Sequence, residues 1–169
     1  MIKPETYVPE LQIHTLDGET WSYANYHDVK FSMIVFYRGY HCPICKTYLK
    51  DLQSKLDEFH ALGIETIAIS SDSKERAEKT RQEWGLDKLK IGYEFSLEEG
   101  KKWGLFLSKG IKEGEPELFT EPGLFLIKPD QRLYASSVQT MPFSRPHFSE
   151  LLTSLNFIIK IAYPARGEA

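Results

Sequence analysis

Two short apolar runs constrain this fold more than any other feature of the chain. FSMIVFY, residues 31–37, and IETIAIS, residues 64–70, are rich in β-branched and aromatic residues. Such runs read as strands buried on both faces. The segment between them has a helical pattern. Tyr48, Leu49, Leu52, Leu56 and Phe59 recur at spacings of three and four and make one apolar stripe. Pro43 suits a first helical turn, where its missing N–H costs nothing, and Gly63 suits the stop.

The flanking segments extend the alternation. LQIHTLDGETWSY, residues 11–23, alternates loosely and turns at Asp17-Gly18, a hairpin signal. Ser71-Asp72-Ser73 offers caps for a helix through about Trp84, stopped by Gly85. KIGYEFS, residues 90–96, is a weaker strand, and LEEGKKWGLF gives a short helix ending near Gly104. Residues 108–122 read as loop. GLFLIKPDQRLYASS, residues 123–137, reads as a hairpin around Pro129-Asp130. A last amphipathic helix is expected from about Pro146 to Tyr163, with Leu151, Leu152, Leu155, Ile158, Ile159 and Ala162 inward. Strands that alternate with helices in this way argue for an α/β sandwich with a partly parallel central sheet.

The 169 residues, 41% apolar and 27% charged, fit one domain spanning 1–169 with a single buried core. A net charge of −3 gives no basic footprint for nucleic acid. No apolar run approaches the ~20 residues of a membrane span. The opening MIKPETYVPE has no apolar stretch of the signal-peptide kind, so the cytoplasm is the expected compartment. Thiols stay mostly reduced there.

The only two cysteines stand in FYRGYHCPICK, residues 36–46. A strand ends near Tyr37 and a helix opens at Cys42-Pro43, so Cys42 falls at the N-cap and Cys45 one turn in. Orphan N–H groups and the helix dipole stabilise a thiolate at that end. The Cys42 pKa should therefore fall from ~8.5 toward neutrality, which makes it the reactive thiol. Cys45 is near enough to close a disulfide behind it. Half of a zinc site and two inert core thiols are the alternatives. A zinc site wants four ligands, and His14, His27, His41, His60 and His147 show no ligand spacing with the cysteines. Inert thiols suit scattered positions better than a strand-to-helix junction. His41 reads as a solvated loop residue, Tyr37 and Tyr40 as walls of the site, and Trp84 and Trp103 as core.

The chain resembles the peroxiredoxin-like branch of the thioredoxin-fold superfamily, the alkyl hydroperoxide reductase and thiol-specific antioxidant type. FYRGYHCPIC is similar to that branch's RGxxCPxC variant, and AISSDSKERAEKTRQEWGL, EEGKKWGLF and PGLFLIKPDQRLY resemble its later segments. The resemblance spans about residues 8–160. It implies a thioredoxin-like three-layer α/β/α sandwich with a mixed sheet and an N-terminal β-hairpin. It also implies a thiol-dependent oxidoreductase without cofactor or metal, which reduces peroxides or disulfides through a transient Cys42–Cys45 disulfide. The reductant would be of thioredoxin or glutathione type, and the chain would pair as a homodimer. A redox-sensing or protein-binding module without turnover is the competing function.

Departures from the family pattern leave the nucleophile open. Laid on PxxxTxxC, the chain puts Arg38 at the proline, Cys42 at the threonine and Cys45 at the attacking cysteine. The thioredoxin pattern makes Cys42 the nucleophile instead. The family's peroxide-polarising arginine falls on Pro122, where thioredoxins hold a cis-proline beside the cysteine pair. Arg38 or Arg145 would then replace the missing arginine. The catalytic set expected from sequence is thus Cys42, Cys45, Arg38 and Pro122.

Overall fold

The computed structural model describes residues 1–169. A five-stranded sheet forms its centre, in the order β5-β4-β3-β8-β9. Strand β3 (Phe31–Phe36) lies in the middle, parallel to β4 (Ile64–Ile69) and antiparallel to β8 (Gly123–Ile127). The short β5 (Ile91–Gly92) extends the sheet beyond β4, and β9 (Leu133–Val138) closes the other edge. All six residues of β3 are buried, as the unbroken apolar run requires of a strand covered on both faces.

Side chains alternate along β3 between two cores. Phe31, Met33, Val35 and Tyr37 join a cluster with Leu49 and Leu52 of α1 (Pro43–Ser54), Phe59 of α2 (Leu56–Ala61), Ala77 of α3 (Lys74–Trp84), and Phe148 and Leu155 of α5 (Phe148–Ile161). Ile34 and Phe36 face the opposite cluster. It contains Ile13 of β1 (Ile13–His14), Trp21 of β2 (Thr20–Trp21), and Phe95, Trp103 and Leu105 around α4 (Leu97–Lys102). This is the three-layer α/β/α sandwich with a mixed sheet. Trp84 and Trp103 are both core residues. No helix is long and apolar enough to cross a membrane.

Several elements differ from the expectation, each for a local reason. The stripe from Tyr48 to Phe59 is interrupted at Lys55, whose ψ of 4° leaves the helical range and splits it into α1 and α2. The hairpin around Asp17-Gly18 forms, but only as the two-residue strands β1 and β2, in a sheet of their own. Residues 108–122, read as loop, hold most of a second hairpin, β6 (Leu107–Lys109) against β7 (Leu118–Thr120). Its strands are too short to leave a periodic signal. Helix α5 is shorter than expected, and Ala162, expected inward, sits exposed at its left-handed C-cap with φ 51°.

Phe36 ties the second core together. Its ring lies 4.9 Å from Phe95, 5.7 Å from Trp103 and 5.7 Å from Phe125, centroid to centroid. Phe36→Ala is expected to cost about 3–5 kcal/mol, the usual range for an aromatic removed from a packed core. Equilibrium urea unfolding reads this directly.

Candidate active site

Strand β3 ends at Phe36, and six residues carry the chain to the start of α1. Two contacts fix that loop. Gly39 has φ +129°, and a side chain there would strike the Asp72 carboxylate, 2.6 Å from the position of an added Cβ. The buried Asp72 carboxylate accepts the Tyr40 backbone N–H at 2.7 Å and Arg76 Nε at 3.0 Å. The loop is therefore docked on the N-terminal end of α3.

Cys42 is the N-cap of α1, Pro43 follows in the first turn, and the Cys42 Sγ accepts the Cys45 backbone N–H at 3.2 Å. The sequence spacing placed both residues correctly. Both are buried, Cys42 at 3% exposed and Cys45, the deeper, at 0%. Both are free thiols. The Cys42 thiol is brought down to about 7, foremost by its hydrogen bond with the Cys45 thiol. The Cys45 N–H, Arg145 and Arg38 act in the same direction, and burial opposes them. For Cys45 burial wins, and its thiol is pushed well up.

Two arginines approach the pair from different elements. Arg145, on the loop between β9 and α5, stacks over the Tyr48 ring at 3.9 Å and puts Nη1 3.7 Å from the Cys45 Sγ. Its Nη2 is buried without a partner. Tyr48 in turn donates its hydroxyl to the Pro146 carbonyl at 2.7 Å, which pins the loop. Arg38 is held by a carboxylate. It donates from Nε and Nη2 to the Glu121 carboxylate at 2.8 and 2.7 Å.

Pro122 is buried in the link before β8, and its peptide bond is trans, as are all others in the chain. The cis-proline analogy is thereby corrected. The β3–β8 ladder already runs antiparallel through Phe36 and Gly123, so the chain enters β8 as an extended strand. His41 also departs from its expected solvated setting. Its ring packs on Phe119 at 4.6 Å, both ring nitrogens are shielded without partners, and burial lowers its pKa. Tyr37 is fully buried, and Tyr40 stacks on Trp84. Glu121 and Ser108 escaped the sequence reading, and Asp72 was read only as a candidate helix cap. All three serve as partners of residues far away in the chain, and that pairing leaves no local pattern.

A family model, the AhpC/TSA family, matches residues 4–136. The chain belongs to this family. It is accordingly a thiol-dependent enzyme of peroxiredoxin type. No curated protein matches it in sequence. Among solved structures, a cysteine-to-serine mutant of peroxiredoxin 6 from Arenicola marina superposes with a TM-score of 0.77 at 19% identity, covering 96% of this chain and 76% of the other. AhpC of Enterococcus faecalis gives 0.77 at 18%, covering 96% and 95%. A PrxQ mutant of Xylella fastidiosa gives 0.75 at 15%, covering 93% and 97%. At such identities the likeness establishes the fold.

The reactive form is the thiolate, so the pKa of about 7 predicts a pH profile. Alkylation of Cys42 by iodoacetamide should level off above the midpoint. Below it, the rate should fall about tenfold per pH unit as the thiolate is protonated. Peptide mapping across pH 5–9 reads Cys42 and Cys45 separately.

Proposed function

We propose that the protein reduces small hydroperoxides with the Cys42–Cys45 pair, Cys42 attacking and Cys45 resolving. The observation that carries this reading is the N-cap placement of Cys42, with its sulfur on the Cys45 N–H and flanked by two guanidinium charges. The Cys42 thiolate attacks the terminal peroxide oxygen. An S–O bond forms, the O–O bond breaks, and the leaving oxygen takes up a proton and departs as water or alcohol. The Cys45 thiol then displaces hydroxide from the Cys42 sulfenic acid. This releases water and closes the disulfide. An external dithiol of thioredoxin type, or two glutathione-type thiols, supplies the two electrons that reopen it.

Two features favour a small peroxide over a protein disulfide. In the reduced protein both sulfurs are buried, which suits a first attack on a molecule small enough to reach them. Arg145, with its unpartnered Nη2, is the donor available to hold a peroxide oxygen, and Arg38 is committed to Glu121. A second reading makes Cys45 the nucleophile, because Arg145 lies against its sulfur.

Stopped-flow mixing with hydrogen peroxide separates the two. Cys45→Ser should keep the fast first step and accumulate sulfenic acid, while Cys42→Ser should lose that step. The reverse pattern makes Cys45 the nucleophile. Arg145→Met should lower the second-order rate constant for peroxide by about 10²-fold, the usual cost of one preorganised donor. The free-thiol count of the oxidised wild type should fall from two to none without intermolecular adducts.

A further inference from the structure

Arg38 and Glu121 meet across the end of the β3–β8 ladder. The register pairs Phe36 with Gly123, and carried two residues further it sets Arg38 opposite Glu121. The guanidinium grips the carboxylate with two hydrogen bonds, and the Ser108 hydroxyl adds a third at 2.5 Å. The Glu121 side chain is only 1% exposed, against 21% for Arg38. A carboxylate so deeply buried persists when a matched cation holds it.

The clamp is anchored in the loop that carries the thiols. Arg38 lies in the loop that delivers Cys42, and its guanidinium packs 5.3 Å over Phe119, the ring that His41 also contacts. Its charge favours the Cys42 thiolate, after the Cys45 hydrogen bonds and Arg145. The charged and titratable groups facing Cys42 are Cys45 from α1, Arg145 from the β9–α5 loop, and Arg38. His41, next in the chain, faces Asp72, Glu115, Arg76 and Arg38. Among the cations at Cys42, Arg38 has a carboxylate partner, and Arg145 carries a buried Nη2 with none.

We propose that Glu121 is a positioning and charge-balancing residue: it fixes Arg38 in the loop that carries the thiols and offsets its charge, so that the ion pair, rather than a bare cation, is what Arg38 contributes to the ionisation of Cys42. The proposal rests on Cys42 as the attacking thiol. Two opposed tasks follow from one contact. Glu121 holds the guanidinium where it can act, and it limits how strongly it acts.

The test is the Cys42 titration midpoint, read by iodoacetamide labelling with fragment mass spectrometry that reports each cysteine separately. Glu121→Gln keeps the shape and an acceptor oxygen but removes the charge. It should lower the midpoint by about half a unit, or about threefold more thiolate at a pH below it. Arg38→Gln should raise the midpoint. The double variant should return toward the wild-type value. A merely structural clamp would move both single variants in the same direction without recovery in the double, and that result overturns the proposal. If Glu121→Gln does not fold, Arg38→Gln compared with the double variant still reads the effect of the Glu121 charge, and an unmoved midpoint there is equally fatal. Titration of Cys45 ahead of Cys42 in the wild type instead overturns the nucleophile assignment. A Cys42 midpoint near 7 that no variant moves overturns this proposal alone.

Discussion

The pairing of β3 with neighbours on both sides is the constraint on which the rest of the molecule depends. Its parallel bond to β4 requires a crossover, which α1 and α2 supply, so the start of α1 is held just beyond the C-terminal end of β3. Its antiparallel bond to β8 brings the 119–122 segment alongside the same end. Thiols, Arg38, Glu121 and Pro122 are thus assembled by one strand and its two ladders. The burial of β3 on both faces makes that register stiff, because a slip of one residue would exchange the Phe31-Met33-Val35 set with the Ile34-Phe36 set between two differently shaped cores.

At the thiols, burial and hydrogen bonding compete, and they resolve differently at neighbouring positions. Both sulfurs are shielded from water, which alone would raise both pKa values. Cys42 receives an N–H and a thiol hydrogen bond and senses two guanidinium charges, enough to reverse the effect of burial. Cys45 sits deeper and next to the charge that develops on Cys42, so the same surroundings keep it protonated. Two chemically identical side chains are thereby shifted in opposite directions.

The family likeness and the site chemistry are carried by different parts of the sequence. Solved relatives at 15–19% identity share the fold, because the fold requires only apolar strands, an amphipathic stripe and stops in the right order. The site chemistry depends on a few polar contacts, and the structure joins Arg38 to Glu121, one residue before Pro122. Arg38 brings a positive charge from the loop after β3, locked to a carboxylate, while Arg145 brings a guanidinium with an unpartnered nitrogen from the loop before α5.

The sequence by itself determined the local elements and the placement of the cysteines. The runs at 31–37 and 64–70, the stripe from Tyr48 to Phe59, Pro43 and Gly85 are short-range signals, and each acts through backbone preference or periodicity within a few residues. Cys42 at the N-cap and Cys45 one turn later followed from that alone. Tertiary structure decided what surrounds them. The burial of Cys42, the trans Pro122 bond, the shielding of His41 under Phe119 and the commitment of Arg38 to Glu121 all arise between residues tens of positions apart. Charge and hydrogen-bond partners at such separations are selected by strand register and loop docking, which exist only once the chain has folded.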